Sequence, residues 1–185
     1  MSSPEIAVAL LRGINVGGKN KLPMKELAEI FAKTDCVKVR TYIQSGNVIF
    51  SAPAPLLKEV PERVKEQIRK RFGYTIPVIV RTSRQMAEAI RDNPFLQADP
   101  SGRSLYVYFL ADLPSELAIK KLDPHRSTPD RFQVLNRHIY LHLPNGMGRT
   151  KLTNAYFDST LSTVCTARNW ATVLALFEMM QSKSE

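Results

Sequence analysis

Val37-Lys38-Val39-Arg40-Thr41-Tyr42-Ile43-Gln44-Ser45-Gly46-Asn47-Val48-Ile49-Phe50 decides the fold. The first seven residues alternate, which places the Val and Ile side chains on one face of a strand. Gln44 to Asn47 reads as a hairpin turn, because Gly and Asn tolerate the positive φ that tight turns demand. Val48 to Phe50 is the returning strand. Strands joined by so short a link run antiparallel, since a parallel pair needs a long crossover.

Upstream, Ile6 to Leu11 is almost wholly apolar, as expected of a strand covered on both faces. Arg12 to Lys21 follows as a Gly- and Asn-rich loop. Pro23 stands at a helix start, and Met24, Leu27, Ala28 and Phe31 recur at helical spacing. Downstream, Leu57, Val60, Val64, Ile68 and Phe72 mark a second helix, with Pro61 as its expected true start and Gly73 as its end. Ile76 to Val80 gives a further strand. The order is β-α-β-β-α-β, that of a ferredoxin-like unit.

Thr82-x-x-Gln85 is a capping box that opens a short helix through Met86 and Ile90. Asn93-Pro94 stops it, and Asp99-Pro100-Ser101-Gly102 marks a boundary. The order then recurs: a strand over 105–110, a helix over 114–122, and hairpin strands over 132–135 and 139–143. A helix from about Asn154 is expected to stack Phe157, Leu161 and Val164. Another from about Asn169 stacks Trp170, Val173, Leu174 and Phe177. The fold class expected is α/β (α+β), with two ferredoxin-like β-α-β-β-α(-β) halves, residues 1–98 and 103–185, packed in one compact body.

Of 185 residues, 26 are Lys or Arg and 17 are Asp or Glu, giving a net charge of +9 that favours anionic partners. The charge is uneven. No acid occurs over 12–25, 67–87 or 131–157, although these stretches carry four, five and four basic residues. No apolar run approaches the roughly 20 residues that span a bilayer, so no membrane partner is expected. Met1-Ser2-Ser3-Pro4-Glu5 lacks the basic start of a signal peptide, and 183–185 is expected to fray. With two cysteines, Cys36 and Cys165, no disulfide framework is implied and the expected setting is the reducing cytoplasm.

Gly13-Ile14-Asn15-Val16-Gly17-Gly18-Lys19-Asn20 follows the phosphate-cradling pattern G-x-x-x-x-G-K-[ST] up to its last position. Asn20 replaces the hydroxyl residue that would hold Mg²⁺, no helix starts at Lys19, and the antiparallel hairpin conflicts with a parallel NTPase sheet. A looser reading keeps the loop as an anion contact through its amides and Arg12, Asn15, Lys19, Asn20 and Lys21. Gln44, Ser45 and Asn47 of the hairpin are further candidates to face a ligand. The second basic Gly-rich stretch, Leu143 to Thr153, offers Arg149 and Lys151 as phosphate contacts, with Thr153 or Asn154 as a helix cap. Arg168 and Asn169 complete the candidates, Asn169 also as a cap. Each position also has a plain structural reading, as a turn, a cap or a solvated basic surface.

No metal or cofactor is expected. His138 and His142 share a strand face but stand about 13 Å apart, too far for one ion. Ser45 lacks the G-x-S-x-G surroundings of a hydrolase nucleophile, and no carboxylate pair offers a general base. No catalytic residue is assigned.

Leu11 to Asn20, Tyr42 to Val48, Asn93-Pro94-Phe95, Leu143 to Thr153 and Ala167-Arg168-Asn169-Trp170 together resemble a bacterial domain-of-unknown-function family, number 1697. Cys165-Thr166-Ala167 departs slightly from the Thr-Thr-Arg-Asn-Trp form of that family. The resemblance implies an α/β fold with ferredoxin-like units and carries no catalytic residues with it. Three functions stay open: a binding protein for a phosphate-bearing small molecule or nucleic acid, an enzyme on a small anionic substrate, and an interaction module using Phe95-Leu96.

Overall fold

A computed structural model describes residues 4–182. The readings made at 1–3 and 183–185 lie outside them. Among the described residues the chain forms two four-stranded antiparallel sheets and six α-helices. It divides into two units, Met1–Ala87 with Ala175–Glu185, and Glu88–Leu174.

The first unit runs β1 (Glu5–Leu11), α1 (Met24–Lys33), β2 (Val37–Tyr42), β3 (Asn47–Ala52), α2 (Ala54–Phe72) and β4 (Val78–Thr82). Its strands lie in the order β2-β3-β1-β4, all neighbours antiparallel. This is the ferredoxin-like arrangement read from the sequence. β1 is central and apolar on both sides, and Ala7 to Leu11 are all fully buried. Ala7, Ala9 and Leu11 join Val48, Phe50 and Ala52 under Leu27, Ile30 and Phe31 of α1 and Val60, Val64 and Ile68 of α2.

Two expectations in this unit are overturned. α2 runs unbroken through Pro61, beginning at Ala54 after Pro53. Pro61 removes only the bond its N–H would make to the carbonyl four residues back, and the buried stripe Leu57-Val60-Val64-Ile68 outweighs that loss. The alternation of β2 also fails. Val37 lies opposite Ser51 and Arg40 opposite Ile49, so three steps on β2 match two on β3. This β-bulge, with Lys38 at φ 53, turns Val37 onto the sheet face away from α1 and α2, while Val39 packs into the core.

The second unit carries β5 (Leu105–Leu110), α4 (Glu116–Ile119), β6 (Arg131–Leu135), β7 (His138–His142), α5 (Asn154–Leu161) and β8 (Cys165–Asn169), in the strand order β6-β7-β5-β8. Element for element this repeats the first unit. The strand β8 fills the stretch between the two expected helices, and the first of these is shorter than expected. α5 ends at Leu161 because Ser162 turns left-handed at φ 53. The Asp158 carboxylate then accepts the Cys165 N–H at 2.9 Å, and Val164 leaves the expected stripe to stand exposed. α4 is four residues long rather than nine. It is capped by Ser115, and Lys121 and Leu122 continue the chain in shorter i to i−3 bonds.

Helix α3 (Ser83–Arg91) follows β4, and α6 (Trp170–Gln181) follows β8. The capping box of α3 forms as read: Thr82 N–H donates to Gln85 Oε1, and Gln85 N–H to Thr82 Oγ1. Asn169 Oδ1 accepts the Thr172 N–H at 2.8 Å and starts α6.

Candidate anion-binding loops

β1 ends where the β2–β3 turn and the chain entering β4 also lie. Leu11 N–H donates to the Gly46 carbonyl and Arg12 N–H to the Pro77 carbonyl. From there residues 12–23 form a braced loop rather than a slack one. Ile14 and Leu22 are fully buried and fasten it to the core of the first unit. Asn15, at φ 54, spends its whole side chain on the brace. Its Nδ2 donates to Leu22 and Gln44 carbonyls, both at 2.9 Å, and its Oδ1 accepts the Leu22 N–H at 2.8 Å. Asn20, at φ 48, donates from Nδ2 to the Gly13 carbonyl, and Asn15 N–H to the Asn20 carbonyl.

Between these braces the chain makes a small projecting turn, closed by Lys19 N–H on the Val16 carbonyl. Gly17 and Gly18 both have positive φ, 59 and 74, as in a type I′ turn. Val16 is 62% exposed and Lys19 and Lys21 stand in solvent. The Gly17 and Gly18 N–H groups have no backbone acceptor among the described residues. Neither Lys19 nor Lys21 is in an ion pair there, and Glu26, the first acid after the loop, is held by Arg71 at 2.7 Å. The long gap to α1 and the antiparallel sheet confirm the objections to NTPase chemistry.

The hairpin candidates join the same cluster. The turn is Ile43 to Gly46, and Asn47 is the first residue of β3. Asn47 is fully buried and its Nδ2 donates to the Tyr42 carbonyl and Ser45 Oγ, each at 3.1 Å. Gln44 presents an exposed side chain beside Asn15. Gly46 is required at the junction. A Cβ there would lie 2.8 Å from Leu11 Cβ and 2.9 Å from Ile14 Cδ1, at φ +81.

Arg149, Lys151, Arg168 and Asn169 belong to the second unit. There the loop after β7 is stitched to the segment before β6. Ser127 Oγ accepts the Lys151 N–H at 2.9 Å and donates to Asp130 at 2.7 Å, while Arg126 Nε donates to the Lys151 carbonyl. The Arg126 guanidinium lies 4.0 Å over the Tyr156 ring. A stretch free of acids in sequence is therefore bonded, through one hydroxyl, to a buried aspartate in space. Thr153 is the cap of α5, as expected.

Arg168 is not a surface contact but a buried side chain of β8, whose Nη1 donates to Thr166 Oγ1 at 2.9 Å and to the Ala167 carbonyl at 2.7 Å. Burial pushes its guanidinium down to about 10, so it stays charged at neutral pH. Its counterpart, missed in the sequence, is Arg81. Arg81 pairs with Val8 as Arg168 pairs with Val107, is fully buried, and bonds the preceding carbonyl of Val80. The available signal was an arginine placed just before a helix cap in both halves, Arg81-Thr82 and Arg168-Asn169.

Phe95 is buried, stacked on His142 and beneath the Arg131 guanidinium, which removes it from the expected contact segment and leaves only Leu96 partly exposed. His138 is buried edge-on to Phe109. Among the described residues no cluster of His, Cys, Asp or Glu is arranged to hold a metal ion, and no helix is long and apolar enough to cross a membrane.

Repeated ferredoxin-like topology and braced basic loops define the class of this protein: a mixed α/β chain built on two antiparallel sheets. The family described as "Protein of unknown function (DUF1697)" matches residues 5–140, and the chain belongs to it. The structure of a conserved bacterial protein from Streptococcus pneumoniae is similar, with a TM-score of 0.68 and 18% identity over 97% of this chain and 100% of that one. At that identity the likeness speaks for the fold alone. No curated protein matches the sequence.

Proposed function

We propose that this chain is a cytoplasmic bacterial protein that binds phosphate groups of nucleic acid through the Arg12–Lys21 loop of its first unit. The observation that carries the reading is the projecting Val16–Lys19 turn. It is held in shape by Asn15 and Asn20 and presents Lys19, Lys21 and two glycine N–H groups with no neutralising acid. A rigid donor set loses little freedom when an anion docks. The turn projects instead of enclosing a space, which suits a polyanion better than a small metabolite, whose sites are concave. Two free, buried cysteines accord with a reducing compartment.

The test is fluorescence anisotropy of labelled single- and double-stranded RNA and DNA against salt. Wild-type affinity is expected to fall steeply with salt as counterions are released. The Lys19→Glu/Lys21→Glu double variant is expected to bind at least about tenfold more weakly, with a log–log salt slope shallower by about 2. Equal binding by the two proteins removes the reading. A thermal shift given by nucleotides but not by oligonucleotides would move it to the small phosphate ligands instead.

A further inference from the structure

The bulge in β2 builds a second feature that the loops do not use. In a regular strand, residues three apart point to opposite faces. The extra residue brings Val37 and Arg40 to the same face of the first unit's sheet, beside Ile49 and Ser51 of β3 and next to Ile6 of β1, which pairs with Ser51. These residues line an open cavity of about 500 Å³, within the range of small-molecule sites. Its apolar side is exposed rather than packed: Val37 is 52% and Ile6 38% accessible. Its charged side is Lys38 and Arg40, and among the described residues no acid lines it.

Among the described residues no acid neutralises the two cations. Neither is in an ion pair among the described residues, and Lys38 is held at φ 53, a backbone setting uncommon for lysine. Arg40 gives one guanidinium nitrogen to the Met179 carbonyl and another to Ser182 Oγ, both neutral acceptors, while its buried Nε has no hydrogen-bond partner. A non-glycine residue in the left-handed region, a bulge and uncompensated charge converge on one apolar-sided cavity.

We propose that this cavity binds a small amphipathic anion, its carboxylate or phosphate head at Lys38 and Arg40 and its hydrocarbon body along Ile6 and Val37. The apolar wall excludes a bare inorganic anion as the fitting ligand, and the two cations exclude an alkyl cation.

The experiment is amide chemical-shift mapping of the full chain titrated with monomeric octanoate, octyl phosphate and octyltrimethylammonium. Both anions are expected to give saturable shifts at Ile6, Val37, Lys38, Ile49 and Ser51, and the alkyl cation none. Lys38→Glu, a change at an exposed side chain, is expected to weaken anion binding at least tenfold, and Val37→Trp to block it by filling the wall. A preference for one anion over the other identifies the headgroup. Shifts confined to other residues, equal binding of the cation, or unchanged affinity in both variants overturns the proposal. So does movement of these same amides on dilution alone, which would make the face a contact between copies. The Lys19→Glu/Lys21→Glu variant is expected to bind octanoate normally, which separates this site from the loop.

Discussion

The two units close one end of their sheets with the same pair of backbone bonds. In the first, Leu11 donates to Gly46 and Arg12 to Pro77; in the second, Leu110 donates to Arg137 and Ala111 to Val164. What the chain does next differs. The second unit reaches its helix in five residues, 111–115, with an acid at Asp112, whereas the first takes twelve, 12–23, with three bases and no acid. The short connection shows that the frame does not need the long one. The additional length of the first loop is held by side chains, chiefly Asn15 and Asn20, and that is where this protein invests structure beyond its fold.

The sharpest way to break that comparison is at Gly46. Gly46→Ala places a Cβ against Leu11 and Ile14 at a left-handed φ, whereas the equivalent acceptor in the second unit is an arginine. Loss of about 3 kcal/mol is expected, read as a lower urea midpoint. Next comes Asn15→Ala, which deletes three hydrogen bonds. It is expected to cost about 2 kcal/mol and to speed amide exchange at Leu22. If Asn15→Ala leaves stability and exchange unchanged, the loop is not braced as described.

Smaller effects separate the two basic loops. Lys19→Glu/Lys21→Glu is expected to leave stability within about 0.5 kcal/mol while reducing nucleic-acid affinity, because both side chains are solvated. Arg149→Glu/Lys151→Glu is expected to change that affinity by less than about threefold, since the proposed phosphate contact lies on the first loop alone. Comparable losses in both variants would erase the distinction.

The smallest effect concerns pH in the second unit. Hydrogen bonds from Ser101 and Ser104 hold the Asp99 carboxyl well below the usual carboxylate range. A depressed pKa in the folded state stabilises above the unfolded pKa, about 4 for Asp, and that contribution fades as pH falls toward the folded value. The stability gap between wild type and Asp99→Asn is therefore expected at pH 7 and to narrow below about pH 4. In the first unit, Lys19→Gln is expected to show no such narrowing.

Local signals were legible because local geometry sufficed for them. The hairpin at Gly46-Asn47, the capping box at Thr82 and Gln85, the stop at Gly73 and the cap at Asn169 each depend on residues within a few positions of one another. β8 was hidden because Cys165-Thr166-Ala167-Arg168-Asn169 offers only a weak alternation of small side chains, Cys165 and Ala167, and its ladder to β5 completes the strand. Val37 was misplaced because a bulge leaves no mark in the pattern of side chains. Arg168 read as an anion contact because arginine is ordinarily exposed.

The sequence by itself determined the repeated β-α-β-β-α order, the family and the positions of the acid-free stretches, since periodicity, caps and composition are properties of neighbouring residues. Tertiary structure alone decided how those stretches are held and which groups lie beside them. Asp130 reaches the second loop through Ser127, and Arg71 withdraws Glu26 from the first. Electrostatic compensation acts across a few ångströms of space whatever the distance along the chain, so only the folded arrangement distinguishes a basic sequence from a basic site.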